Sequence, residues 1–338
     1  MIRCGDTEIF VGSGMPEPLL PPGDQRRRAV VLTQPAATAQ ALTICRTLRE
    51  SGLTAEVIGL PDRDEAKTLE VAASVYQAMA DQGLSVHDTV VGVGGGSVTD
   101  LAGFVAGTWM RGVEVVHVPT TFLGAVDAAI GGKTGVNVAG KNLVGVFWHP
   151  SRVIIDLHLL SDLPPGLLRE GMAEALKAGM VGDPELAGLL SRRGLAAPID
   201  EVVTRAVVVK ARLVEEDPRD RGVRQHLNFG HTIGHALEYA STLTHGEAVS
   251  LGMVAAAAVS EERCGFTGTG TLVDTLTRVG LPVTAEGIDR QRVFDLVRLD
   301  KKRDGDSLRM VLLEEVGEPV VVQVETDLVG KALAAIGI

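Results

Sequence analysis

The chemistry in this chain is densest in Arg224-Gln-His-Leu-Asn-Phe-Gly-His-Thr-Ile-Gly-His-Ala-Leu-Glu238 and in Thr244-His-Gly-Glu-Ala248 just beyond it. Residues four apart stack on one face of a helix, so His231 and His235 can turn two imidazoles toward a single point, the geometry of a divalent-metal site. His245 precedes an apolar run, Ala248 to Val259, which reads as a buried helix whose start would hold that imidazole in place. Two imidazoles usually need a third ligand and leave a position open for substrate. In Leu168-Arg-Glu-Gly-Met-Ala-Glu-Ala-Leu-Lys-Ala-Gly179, Glu170, Glu174 and Lys177 share a helix face. Glu174 is there either the missing ligand or the ion-pair partner of Lys177. An isolated HxxxH is as readily a packed-helix pattern, so the metal reading depends on cofactor and substrate sites elsewhere.

Those sites have candidates. Of 32 basic residues only eight are lysines, and Lys133, Lys141, Lys177, Lys210, Lys301 and Lys302 fall in or beside Gly-, Asn- or acid-containing motifs, where a compact ammonium is wanted instead of a planar fork. Gly94-Gly-Gly-Ser-Val-Thr-Asp100 follows a predicted strand and precedes a predicted helix at 101–110. Such glycines let backbone amides approach a pyrophosphate, although the spacing is not GxGxxG. Thr120, Thr121 and Asp127 follow the next strand, beyond its C-terminal end, where ligands bind in open parallel sheets. Gly131-Gly-Lys-Thr-Gly-Val-Asn137 and Gly140-Lys-Asn142 put cations and amides on glycine-hinged backbone suited to an anionic ligand, in a pattern too irregular for a triphosphate-binding P-loop.

The elements that must position these groups alternate in the first half: strands at 29–33, 54–58, 89–93, 113–118 and 152–156, with helices at 37–51 and 65–82 between the earlier ones. That alternation predicts an α/β class with a Rossmann-like parallel sheet. Beyond residue 157 the period becomes helical, including 199–216, with a closing hairpin at 307–313 and 319–323. Two domains are expected, 1–157 binding a dinucleotide and 158–338 mainly helical and metal-binding.

Net charge of −11 argues against a nucleic-acid or anionic-membrane surface and makes any anion site local. Cys4, Cys45 and Cys264 are widely spaced, which fits a reducing cytoplasm better than a disulfide framework. Neither a leader-like segment nor an apolar run of the ~18 residues a bilayer requires is evident.

Taken together, GGGSVTDLAGF (94–104), RGVEVVHVPTTFLGAVDAAIGGKTGVN (111–137), GKN (140–142), GMAEALKAG (171–179), LNFGHTIGHALE (227–238), HGEAV (245–249) and DKK (300–302) resemble the 3-dehydroquinate synthase family of sugar phosphate cyclases. The resemblance implies a homodimeric, NAD-dependent metalloenzyme with its active site between a dinucleotide domain and a helical domain. It implies zinc, with cobalt as a substitute, on Glu174, His231 and His245, which moves His235 from the metal to the substrate phosphate. Arg111, Asp127, Lys133, Asn142, Lys177, Lys210, Arg224, Asn228, His235 and Lys301 or Lys302 match the substrate set, Arg111 reaching the partner's phosphate site. Lys133, Lys177, His235 and Asn142 are the implied catalytic group. Asp64, Lys67, Gly95, Gly96, Ser97, Asp100, Thr120, Thr121, Asp127, Lys133 and Lys141 match the NAD contacts, with Asp64 where the family usually has Glu. The implied reaction takes 3-deoxy-D-arabino-heptulosonate 7-phosphate to 3-dehydroquinate and phosphate through oxidation, elimination, reduction and aldol closure, the phosphate serving as base in its own elimination.

Gly131-Gly132-Lys133 argues against the inositol- and valiolone-forming cyclases, which usually alter this segment. An aminodehydroquinate synthase would keep the same motifs. A glycerol- or iron-type alcohol dehydrogenase shares the glycine turn and metal-binding helices but has no need for so many cations around two anions.

Overall fold

The computed structural model describes residues 1–23, 25–303 and 308–338. The chain forms two compact units, 1–163 and 164–338. The first contains β1 (Ile2–Cys4), β2 (Thr7–Gly12), β3 (Arg28–Thr33), α1 (Thr38–Glu50), β4 (Thr54–Gly59), α2 (Leu69–Asp81), β5 (Thr89–Gly94), α3 (Gly96–Thr108), β6 (Glu114–Pro119), β7 (Lys133–Val136), β8 (Val144–Phe147), β9 (Arg152–Asp156) and α4 (Leu157–Ser161). Seven strands order as β1-β2-β9-β6-β5-β3-β4, parallel except for the β1–β2 hairpin. β5 is buried along its whole length, as expected of a central parallel strand covered on both faces. One face packs under α2 and α3 through Val75, Met79, Leu101 and Val105, the other under α1 through Ile44 and Leu48.

The glycines of β5 and α3 set how closely that helix lies on the sheet. A Cβ at Gly92 would come within 2.8 Å of the Ala102 Cβ and 3.2 Å of His117 Nδ1. His117 on β6 is therefore walled in at 2% exposure, with no hydrogen-bond partner for Nδ1 among the described residues. Desolvation of the charged ring pushes its pKa down to about 3. The folded imidazole stays neutral where the unfolded one, near 6.5, takes up a proton, so stability is unaffected above pH 6.5 and falls as pH drops toward 3. We expect wild-type protein to lose about 2 kcal/mol more than His117→Gln between pH 7.5 and 5, read from urea midpoints. Parallel losses in the two proteins would contradict this.

The second unit contains α5 (Pro165–Gly182), α6 (Pro184–Arg193), α7 (Ile199–Glu216), α8 (His231–Ala240), α9 (His245–Cys264), α10 (Thr269–Val279), α11 (Arg290–Arg303), the β10–β11 hairpin (Leu308–Glu315, Glu318–Val324) and α12 (Thr326–Ala335). Its centre is α9, buried nearly all round and packed by α5, α8, α10 and α12. Helices that are apolar on every side belong at such a position. Ser307, at the expected start of the hairpin, lies outside the described residues.

Candidate metal centre and dinucleotide site

In the second unit three helices, α5, α8 and α9, pack closely together. α8 and α9 approach by backbone contact: a Cβ at Gly252 would lie 1.9 Å from the Gly230 carbonyl oxygen and 2.8 Å from the Gly234 nitrogen. Gly230 precedes α8 with φ +80, a left-handed conformation that costs glycine little. α9 also meets α5 closely, since a Cβ at Gly246 would fall 2.5 Å from the Glu170 Cα. A capping box fixes the start of α9: the Thr244 hydroxyl accepts from the Glu247 amide and the Glu247 carboxylate accepts from the Thr244 amide at 2.9 Å. His245 is consequently held at the first helical position.

One donor atom from each of Glu174, His231 and His245 lies within 4.8 Å of the others. Glu174 Oε1 is 3.5 Å from His231 Nε2 and 3.3 Å from His245 Nε2, while Oε2 pairs with the Lys177 ammonium. One Glu174 oxygen thus faces the two imidazoles and the other the Lys177 ammonium, an arrangement compatible with both the ligand and the ion-pair readings, with the Glu174 side chain 1% and the Lys177 side chain 3% exposed. The expectation that His231 and His235 converge on one ion needs correcting: His235 is exposed and outside this donor group, although its ring centroid is 5.0 Å from that of His231. The third donor comes from the next helix because the α8–α9 turn reverses the chain.

The electrostatics differ between the two imidazoles. Burial, helped by the Lys177 charge, holds His231 well below the ordinary histidine range. For His245 burial pulls downward too, but hydrogen bonds to Glu174 and Glu238 outweigh it and raise the pKa to about 10. Two nitrogen donors and one carboxylate, converging and with only His245 partly exposed, fit a divalent metal of the zinc type. In the same unit Lys210 is buried on α7, Arg224 is 2% exposed and donates to the Pro218 carbonyl at 3.0 Å, and Asn228 ends the turn before α8. α5 packs against both α7 and that turn. The side chains of Lys301 and Lys302, in α11, lie outside the described residues.

In the first unit the three-glycine run is no loop: Gly94 ends β5, Gly95 caps and Gly96 opens α3 five residues before the expected start. The chain runs from β3 outward to β4 and then back across to β5, so this turn stands at the topological switch point of the sheet, where helix-terminal amides receive phosphates. Thr121 closes over it, and a Cβ at Gly95 would be 3.2 Å from the Thr121 Cγ2. Thr120 amide donates to the Gly94 carbonyl at 2.9 Å. Ser97 donates to Asp64 at 2.8 Å, Lys141 lies 3.6 Å from Asp64, and buried Lys67 bonds both Asp100, at 2.6 Å, and Asn142. The backbone cradle and the acid, amide and ammonium groups around it suit a dinucleotide. Lys67 and Asn142, expected to serve different ligands, are thus direct neighbours. Asp127 is half-buried in the turn Gly124–Ala128, and Lys133 is exposed at the start of β7. Arg111 is exposed with φ +69, beside Met110 at φ +49, two successive left-handed non-glycine residues of the strained kind that cluster at functional positions.

Two features went unread in the sequence. Thr244-x-x-Glu247 is a capping-box signature, and Glu238, seven residues after His231, lies two helical turns along the same helix face.

Comparison with known proteins agrees across both units. The family described as 3-dehydroquinate synthase N-terminal matches residues 57–170, and the one described as 3-dehydroquinate synthase C-terminal matches 171–303. The 3-dehydroquinate synthase of Pseudarthrobacter chlorophenolicus is 41% identical, covering 94% of this chain and 91% of its own length; that of Thermobifida fusca is 40% identical, covering 90% and 86%. Among solved structures, the valiolone synthase ValA of Streptomyces hygroscopicus subsp. jinggangensis 5008, with NAD+ and Zn2+ bound, matches with a TM-score of 0.83 at 28% identity over 92% of this chain and 90% of its own. A 2-deoxy-scyllo-inosose synthase complexed with carbaglucose-6-phosphate, NAD+ and Co2+ matches at 0.82 and 26% over 92% and 91%. An iron-containing alcohol dehydrogenase, 16% identical at a TM-score of 0.66, shares the fold alone. With both domain models matching in order and a relative 41% identical over 94% of its length, the chain belongs to the 3-dehydroquinate synthase family.

Proposed function

We propose that this chain converts 3-deoxy-D-arabino-heptulosonate 7-phosphate to 3-dehydroquinate and inorganic phosphate, with NAD on the Gly95–Gly96 turn and zinc, or cobalt in its place, on Glu174, His231 and His245. The observation carrying the reading is the convergence of those three donors within 4.8 Å, backed by a buried lysine. When bound, NAD supplies hydride acceptance and return, and the metal supplies polarisation of the substrate's hydroxyl and ketone oxygens.

The residues of the chain supply positioning and charge. Lys177 holds Glu174 by one oxygen and so aims the other at the two imidazoles. Lys133, Lys141, Lys210 and Arg224 provide the cations that a carboxylate and a phosphate require in a protein of net charge −11. His235, exposed on the turn of α8 after His231, serves the phosphate. No residue in this set is a dedicated base for the elimination, so the departing phosphate takes the proton itself and the side chains need only hold it in line.

A homodimer in the cytoplasm completes the reading. Met110, next to the strained Arg111, is 50% exposed, and Leu143, Val144 and Phe147 are 37–50% exposed in the same unit, apolar surface available to a second copy. Sedimentation should give twice the chain's mass, and a monomer at assay concentrations would refute this part.

Supplying NAD, zinc and the heptulosonate phosphate should release phosphate in many-fold excess over enzyme without net NADH. Stoichiometric NADH with no phosphate would indicate a dehydrogenase instead. An aminodehydroquinate synthase would turn over only the amino analogue.

A further inference from the structure

We infer that Glu238 is a positioning residue for the metal centre, holding His245 in the one tautomer and ring orientation that can ligate. This rests on the metal reading given above. His245 is bracketed by carboxylates on opposite ring nitrogens: Nε2 lies 3.3 Å from Glu174 Oε1 and Nδ1 lies 3.3 Å from Glu238 Oε2. A neutral imidazole has one N–H and one lone pair. A ligating Nε2 must present its lone pair, so the proton belongs on Nδ1, and an acceptor there both selects that tautomer and stops the ring from flipping. Glu238 is placed for this by α8, two turns after His231 and 17% exposed at its side chain, while the capping box sets the ring's other coordinate.

The two imidazoles are supported unequally. His231 Nδ1 faces a neutral backbone carbonyl, that of Phe229, at 3.4 Å, whereas His245 has a full carboxylate. The difference matters because Lys177 sets a positive charge against Glu174 and offsets the one anion among the three donors. Glu238 restores a negative charge beside the site without occupying a coordination position, and it makes His245 the better electron donor of the pair.

The test is zinc affinity of the full-length protein by competition with a chromophoric chelator, alongside the visible spectrum of the Co2+-loaded form. Glu238→Ala should weaken zinc by about 10- to 100-fold and change the Co2+ bands, because a freed imidazole alters the ligand field. Glu238→Gln, whose amide oxygen still accepts the Nδ1 proton, should fall between wild type and Glu238→Ala in zinc affinity. NAD affinity should stay at the wild-type value in each. If Glu238→Ala is poorly folded, the Gln variant and its spectrum decide. Wild-type affinity and an unchanged spectrum in both variants would overturn this inference while leaving the metal site intact. Failure of the wild-type protein itself to hold one zinc would instead overturn the underlying reading.

Discussion

Glu174→Ala should abolish stoichiometric zinc binding and lower kcat/KM by about 10³-fold or more, the several kcal/mol that Lewis-acid polarisation contributes to such chemistry. NAD affinity should be nearly unchanged, because the glycine cradle belongs to the other unit. The same substitution has a second consequence. With the carboxylate gone, the Lys177 ammonium, 3% exposed, loses its buried counter-charge, and breaking such a pair costs about 3–5 kcal/mol. Adding Lys177→Met should recover most of that stability and none of the metal. A double mutant as unstable as Glu174→Ala would show the pair to be unimportant to folding, and a full zinc equivalent in Glu174→Ala would remove Glu174 from the ligand set.

Gly252→Ala should be nearly as damaging although it adds a single methyl group. The added carbon would sit 1.9 Å from the Gly230 carbonyl oxygen, so α8 must move away from α9. Overpacking of this kind typically costs about 1–3 kcal/mol, and here the clash is with backbone, which cannot rotate aside. Because His231 begins α8 and His245 begins α9, the displacement also separates two metal donors. We expect zinc affinity to fall at least tenfold together with a lowered urea midpoint. Wild-type affinity at reduced stability would mean that the glycine contact sets packing alone.

How far the sequence went is clearest in the sheet. Continuous runs such as Thr89-Val-Val-Gly-Val93 admit few readings besides a buried parallel strand, and β3, β4, β5 and β9 appear within a residue of expectation. Helix starts were harder. The expected helix at 65–82 is a short 3-10 turn, Arg63–Ala66, and then α2, because the Thr68 hydroxyl caps a fresh start by accepting from the Val71 amide. The β1–β2 hairpin at one side of the sheet and the β7–β8 hairpin carry too little alternation to be seen. At the site, the i,i+4 rule correctly placed His231 and His235 on one helix but could not foresee which imidazole from a neighbouring helix would share the acid. That depended on Gly246 and Gly252 letting backbones touch, a long-range consequence of small residues that periodicity does not encode. The resemblance to a family supplied the ligand choice that spacing alone left open.

Zinc-edge anomalous diffraction from crystals grown with the metal tests the centre most directly. One strong peak is expected, bonded to a Glu174 oxygen and to Nε2 of both His231 and His245, with His235 unligated. A peak held by His231 and His235 without His245, or no peak beside Glu174, would contradict this assignment.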